Sequence, residues 1–395
     1  MRQLAAAFQI AGDSRRSHFR EKLLAASGIK AVHRNLLIEE DTNMGLVADG
    51  SKTRREFVKD IAFAGTAAAL AGSLGARPTA AAEGKYAHFF HKLAFGKPAG
   101  SVGPGNADSM FHFTGKDIDG CDSNFSFGYY SKPGSWDPEG SGGQYHPYDS
   151  VLLFGGLNPK VPDYLGAEIE ISIGPENEKH VFDSPTVVCI PRYLPYGPII
   201  TRKVEKPFGH YNVGLSGEYR ITRLPKSRLA QTSTKNEFGH LVKKLSLPHE
   251  GTPRKSKTGP GNADTIVWPR GAQLENFLVN CSWGFYTGLG NWHTTEMDPH
   301  IHFGDEYLVF VGLDASRPQY LGAAIDFYMG EDARTGQKQE MYPFDVPMCV
   351  VCPARFTHAP LITTKVDQTY VFFLIRRDLG QRPDPNKTTT GYPIQ

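Results

Sequence analysis

The sequence predicts an all-β protein built of two similar domains in tandem, and three observations carry that reading. The first is an internal repeat. Gly103-Pro104-Gly105-Asn106-Ala107-Asp108 recurs unchanged at Gly259-Pro260-Gly261-Asn262-Ala263-Asp264, and the register then continues without a gap. Asn124, Ser126, Gly128 and Tyr130 match Asn280, Ser282, Gly284 and Tyr286, and Tyr164-Leu165-Gly166-Ala167 matches Tyr320-Leu321-Gly322-Ala323. A repeat of this length means two domains rather than a solenoid. The second observation is that the apolar runs are short and bounded by Gly, Pro, Asn or Asp: Tyr307–Gly312, Ala323–Met329, Met348–Cys352, Leu361–Val366 and Tyr370–Ile375. The third is composition. With 42 Gly and 28 Pro in 395 residues, and no strongly periodic helix in the second half, the chain is turn-rich. Many short strands at even spacing suggest a closed sandwich or jelly roll.

The chain divides by these signals into a leader (1–83), a first domain (84–225), a polar basic linker (226–236) and a second domain (237–395). Within the leader, Thr53-Arg54-Arg55-Glu56-Phe57-Val58-Lys59 has the pattern of a twin-arginine export signal. An Ala/Gly-rich apolar stretch, Ile61 to Leu74, and a small-residue cleavage site, Ala80-Ala81-Ala82, follow it. Basic, apolar, small is the order of a removable signal peptide. Met44 begins an ordinary region before such a signal, so residues 1–43 are read as lying upstream of the true start. The expectation is a periplasmic or secreted bacterial protein that uses the twin-arginine export machinery. That route carries folded proteins.

A net charge of +2 argues against nucleic acid or an anionic membrane surface as partner. No apolar run is long enough for a stable membrane anchor. The five cysteines are Cys121, Cys189, Cys281, Cys349 and Cys352, an odd count that argues against a full disulfide framework. Cys349 and Cys352 have the spacing of a zinc or redox pair but sit in an apolar β-branched run, where buried strand cysteines are expected.

The chemistry lies at His300-Ile301-His302, Glu306 and His358. In an extended strand, residues two apart point to one face, so His300 and His302 project together. Gly304-Asp305 signals a turn, after which Glu306 opens the next strand. His358 follows the Pro353–Thr357 turn, and a barrel brings such distant strands together. Three imidazoles and a carboxylate suit Fe(II), Mn(II), Ni(II), Cu(II) or Zn(II), with positions left open for water or substrate.

These residues resemble the metal motifs of the cupin superfamily, specifically its two-domain members, the bicupins. The first motif has two histidines around one residue, a glutamate soon after and then a glycine, which His300, His302, Glu306 and Gly312 fit. The second has a proline, a glycine and a histidine. Pro353 and His358 fit, but Arg355 stands where glycine is usual and Ile362 where asparagine is. The resemblance spans about residues 84–380 and implies two tandem cupin-type jelly-roll barrels with one divalent transition metal, Fe or Mn being favoured. It does not imply a particular reaction.

The first copy departs from the pattern. Gln144, Ser150 and Tyr196 stand at the places of His300, Glu306 and His358, and only His146 keeps the place of His302. That is a poor divalent-metal set, and Asp149 lies one residue out of place. The first barrel is therefore read as structural or as holding an organic ligand. Two residues are catalytic candidates: Arg355 to clamp an anionic group and Glu296 as general acid or base. Trp292, His293 and Asp298 lie beside Glu296 in a segment read as an ordinary loop near the barrel mouth, and Trp283 is read as core. The expected function is a metal-dependent dioxygenase-like oxidoreductase or a decarboxylase, acting on a small organic acid or phenol as substrate. The alternative is a non-catalytic protein that binds metal or a small ligand. Cupins often pair through sheet edges, so a homo-oligomer is also expected.

Overall fold

The computed structural model describes residues 84–97, 105–118, 120–137, 140–230, 233–246, 263–292, 299–330 and 339–377. The leader with its twin-arginine segment lies outside them, as do His293, Glu296 and Asp298. The described residues belong to one compact unit and are almost entirely β-strand. Among them, no helix is long and apolar enough to cross a membrane.

Each repeat forms two antiparallel sheets packed face to face, the jelly-roll arrangement expected. In the first barrel the larger sheet carries Thr186–Ile190, Ser150–Gly156, Phe208–Gly214, Asn124–Tyr130 and Ser109–Phe113 side by side. The second barrel repeats this with Met348–Cys352, Glu306–Gly312, Tyr370–Arg377, Trp283–Tyr286 and Ala263–Val267. The smaller sheets are centred on Tyr196–Val204 beside Ala167–Ile173, and on His358–Val366 beside Ala323–Met329. The five apolar runs of the second copy are all strands, with ends moved by a few residues.

The two repeats exchange their leading strands. Phe90–Lys92, from the start of the first copy, pairs with Met348–Cys352 of the second. Val242–Lys244, from the start of the second copy, pairs with Thr186–Ile190 of the first. Neither sheet is complete without the other half of the chain. The basic stretch 226–236 is likewise partly built into the first barrel. Its Lys226–Ala230 turn buries Arg228, whose guanidinium donates to the carbonyls of Gly142, Gly174 and Gly197.

The larger sheets meet back to back, which explains why their central strands are buried at every position. Along Glu306–Gly312 all seven residues are buried. Leu308 and Phe310 face their own barrel's interior, while Tyr307, Val309 and Val311 belong to the core shared with the first barrel. Strands covered on both faces lose polar alternation. Across the junction Tyr211 stacks on Phe373 (4.5 Å between centroids), and Phe125 packs on Tyr307 (5.4 Å). The hydroxyl of Tyr129 donates to the Gly312 carbonyl (2.8 Å). Trp283 is core, as expected. It enters a socket made by Gly155 and Gly209, where an added Cβ would stand 2.4 Å and 3.0 Å from the indole.

The five cysteines are buried and free. Cys349 and Cys352 are three apart on one strand, so they face opposite sides: Cys349 lies in the shared core and Cys352 inside the second barrel. They cannot bind one ion.

Inside the first barrel, His210 is caged by Phe154 (4.5 Å), Trp136 (4.9 Å) and Tyr130 (6.0 Å). Burial pushes its pKa down to about 3, so the folded protein keeps it neutral while the unfolded chain protonates it below about 6.5. Its folded pKa is depressed, so stability falls as pH drops from about 6.5 towards 3. The loss is about 3 kcal/mol by pH 4, at roughly 1.4 kcal/mol per pH unit. Register places Phe372 at the matching position of the second barrel. His210→Phe should therefore flatten the acid limb of stability. Urea unfolding of both proteins at pH 7 and pH 4 checks this, and equal acid losses would refute it.

Candidate metal centre

The four predicted ligands come together at one mouth of the second barrel. His300 lies just outside the named strands and makes a two-way backbone pair with His358 (3.1 Å in each direction). His358 is the first residue of its strand and Glu306 the first of the adjoining sheet's central strand. The His300 and His302 rings lie on one side, 4.8 Å apart, as the two-residue spacing predicted. One ligand atom from each of the three histidines lies within 4.8 Å of the others. The Glu306 carboxylate sits under them, its two oxygens each 3.3 Å from Nε2 of His302 and of His358. Adjacent donors held at about 2.1 Å from a metal are separated by roughly 3.0–3.4 Å, so these pairs fit one ion.

The local electrostatics fit a cation as well. Nδ1 of His358 faces the Phe356 carbonyl at 3.1 Å. A carbonyl only accepts, so this bond puts the ring proton on Nδ1 and leaves the Nε2 lone pair aimed at Glu306. Burial acts to raise the pKa of Glu306, but the His302 and His358 rings, when protonated, and the Arg376 guanidinium overcome it and hold the carboxyl down at about 2. Burial keeps His302 neutral, its pKa pushed down to about 3 although Glu306 works against this, and the Arg376 guanidinium adds to the depression. An ionised carboxylate beside the His358 Nε2 lone pair calls for positive charge between them. The set can hold one divalent metal, with the His302 side chain, 26% exposed, marking the open side.

Arg355 does not enter the barrel. It is exposed, with its guanidinium 5.8 Å from the centre of the Phe303 ring on the rim. Its backbone is what serves the site. Arg355 adopts a left-handed φ of +63°, the conformation that the usual glycine takes without strain. Its N–H donates to the His302 carbonyl at 2.6 Å, pinning the loop that carries two ligands. Tyr193 of the first copy repeats both features, with φ +63° and an N–H bonded to the His146 carbonyl at 2.7 Å. Glu296 lies outside the described residues. Trp292 lies in the packed barrel rather than a loop, stacked on Tyr286 (4.3 Å) and donating to Thr363 (2.9 Å).

One residue was missed. Arg376 is the registered partner of Glu306, and its Nη1 lies 3.4 Å from His302 Nδ1 and 3.9 Å from Glu306 Oε1. A period-two count along Tyr370, Phe372 and Leu374 places Arg376 on the barrel's inner face. The apolar run ends at Ile375, so the signal was there one residue beyond it.

The first barrel fills the corresponding position with its own side chains. Tyr196 Oη bonds His146 Nε2 (2.8 Å) and accepts from Gln144 (2.7 Å), while His146 Nδ1 donates to the Arg220 carbonyl (2.6 Å). Both ring nitrogens of His146 are thereby engaged. Asp149 turns away to pair with Arg192 at 3.1 Å. Among the described residues no metal set forms there.

No protein-family model matches the sequence, and no curated protein matches it. Among solved structures, the chain is similar to oxalate decarboxylase from Bacillus subtilis at pH 4.6. Identity is 11% and the TM-score 0.44, over 73% of this chain and 76% of that one. A structure of oxalate decarboxylase described for its substrate binding mode and a reaction specificity switch gives 9% and 0.45, over 73% and 77%. Another from Bacillus subtilis, described for its Mn(II) centres, gives 10% and 0.44, over 73% and 77%. Likeness at this level decides nothing about chemistry.

Proposed function

We propose that the protein is an exported bicupin with one divalent metal centre, in the second barrel, and that it acts as a metal-dependent oxidoreductase of the dioxygenase kind or as a decarboxylase. The observation that carries this reading is the convergence of His300, His302, His358 and Glu306 beside Arg376. Fe or Mn bound to the four ligands would supply a Lewis acid with open positions. The chain's own residues supply the rest. The Arg355 N–H and the Phe356 carbonyl fix the orientation of His302 and His358. Arg376, 23% exposed, presents a guanidinium on the same side as His302, placed to pair with a carboxylate or phenolate. The substrate class that fits is therefore a small organic acid or phenol.

Carbon dioxide release and oxygen uptake, measured on metal-loaded protein with a panel of such acids and phenols, test the proposal. Turnover of at least one is the expected result. Arg376→Gln should then keep its metal and lose about 100-fold in kcat/KM for anionic substrates, the usual scale for a charge-assisted pair. Silence across the panel would favour the second reading, a protein that holds metal or a small ligand without chemistry. One observation supports that reading: the second barrel is packed below the ligands by Trp292, Phe310, Phe344 and Phe372, and Arg355 lies outside it.

Export through the twin-arginine route is part of the proposal and rests on the leader's residue pattern. Changing Arg54 and Arg55 together to Lys should leave the protein in the cytoplasmic fraction of its host.

A further inference from the structure

Both barrel mouths share one backbone frame, and at the mouth that carries the ligand set a charged pair from the other barrel is added to it. In the second barrel the Arg377 N–H donates to the Asp305 carbonyl (2.9 Å), and the Asp305 carboxylate accepts from the Ala354 N–H (2.8 Å). In the first barrel Leu215 and Asp149 repeat the first bond (2.9 Å), and Arg192 and Asp149 repeat the second (2.9 Å). Arg377 differs from Leu215 in what its side chain reaches. Its Nε lies 3.4 Å from Asp122 Oδ2 and its Nη1 donates to Ser123 Oγ (3.2 Å), both residues of the first repeat. The gap-free repeat register puts Leu278 and Val279 at the places of Asp122 and Ser123. Apolar residues therefore stand at all three matching positions of the other mouth.

Arg377 is 8% exposed. A guanidinium buried to that extent needs a counter-charge, and Asp122 supplies it from the other repeat. Strand geometry links this pair to the metal centre. Arg376 and Arg377 are successive residues of one strand, so their side chains point to opposite faces. Arg377 reaches the first barrel, while Arg376 turns into the second, 3.4 Å from His302 Nδ1 and 3.9 Å from Glu306 Oε1. Asp305, bonded to the Arg377 N–H, directly precedes Glu306 and through Ala354 holds the turn that leads to His358. Register puts Gly214 of the first barrel at the place of Arg376. The inward arginine and its outward anchor are thus present together in one copy and absent together from the other.

We propose that Asp122, with Ser123, is a positioning residue that the first barrel contributes to the metal centre of the second. By anchoring Arg377 it sets the place of Arg376 along the strand and steadies the turn before His358. The degenerate barrel then serves the site without a metal of its own. This rests on the reading of the four ligands as a metal set and of Arg376 as the group that pairs with an anion. Tyr129 supplies the contrast. It also crosses from the first repeat to the second, its hydroxyl donating to the Gly312 carbonyl (2.8 Å). Gly312, however, ends the strand that Glu306 begins, about 20 Å from the ligands at roughly 3.3 Å per residue.

Two measurements on the full chain test it, at a temperature well below the unfolding transition of every variant. Equilibrium dialysis gives the affinity for Mn(II), and water-proton relaxation of the Mn(II)-loaded protein gives the affinity for acetate. Asp122→Asn is expected to weaken both about tenfold, the scale for groups that support metal ligands, and Asp122→Glu, which keeps the charge, to restore most of the loss. Tyr129→Phe is expected to lower the unfolding temperature and leave both affinities unchanged. Unaltered affinities in Asp122→Asn overturn the proposal. So does an equal loss in Tyr129→Phe, which would mark a general loosening of the junction. Arg376→Gln separates this proposal from the reading beneath it. Acetate binding lost there but intact in Asp122→Asn refutes the positioning role alone, whereas binding intact in both also removes the role given to Arg376. No Mn(II) binding by the unaltered chain would fell the metal centre and this proposal together. Should Asp122→Asn fail to fold, Ser123→Ala, which removes a neutral contact to Arg377, carries the same test with a smaller expected loss, and no loss there overturns the proposal.

Discussion

Replacing His358 with alanine is expected to take the metal content of the purified protein from about one ion per chain to near zero. His358 supplies an imidazole whose Nε2 stands 3.3 Å from Glu306, and its backbone pairs with that of His300, so the substitution removes a donor from the middle of the set. The remaining His300, His302 and Glu306 would form a three-donor site still open to water, far weaker for a first-row ion. His146→Ala, at the position of His302 in the other barrel, should leave the count unchanged, because His146 is spent on Tyr196 and the Arg220 carbonyl. Elemental analysis of protein purified from its own host decides. Two ions per chain, or the same content in His358→Ala, would sink the single-centre reading. The histidine itself is 2% exposed, so a thermal unfolding curve should accompany the metal count.

The second large effect is on folding. Either repeat expressed alone is expected to be insoluble or unfolded. The second repeat without Phe90–Lys92 loses the edge strand beside Met348–Cys352. It also loses the Phe90 ring stacked on Tyr342 (4.6 Å) and the Tyr86 ring against Phe356 (5.1 Å), the latter two residues before His358. The first repeat without Val242–Lys244 loses its own edge. Both halves would expose the face now buried by Phe125, Phe127, Tyr129, Tyr211, Trp283, Tyr307 and Phe373. At about 1.5–3 kcal/mol for each large apolar side chain, that burial stabilises the pair by roughly 10–20 kcal/mol, comparable with the entire stability of a domain. Co-expression of the two halves should restore soluble, metal-binding protein. A lone second repeat that unfolds cooperatively and still binds metal would show the exchange to be dispensable.

The candidate site was largely legible because its signals are local and periodic. His300 and His302 announce themselves by two-residue spacing, and Glu306 by its place just after a turn. The internal repeat supplied the contrast with Gln144, Ser150 and Tyr196, and the structure agrees that the first barrel forms no such set. Arg355 was read for its side chain because a guanidinium near a ligand suggests side-chain chemistry, and the structure places that side chain on the rim, exposed. Its backbone φ, invisible in sequence, is what matters. Arg376 escaped notice because strand register, a long-range property, puts it opposite Glu306.

The sequence by itself pointed to two tandem β repeats, one with a full candidate ligand set and one degenerate, because repeat length, strand period and donor type are all written along the chain. Only the tertiary structure decided which residues stand opposite one another. Strand exchange, the back-to-back aromatic junction, the placement of Arg376 and the contact of Asp122 with Arg377 all depend on pairing between segments far apart in sequence. Local propensity is silent about such pairing, since it is set by which faces can be buried together.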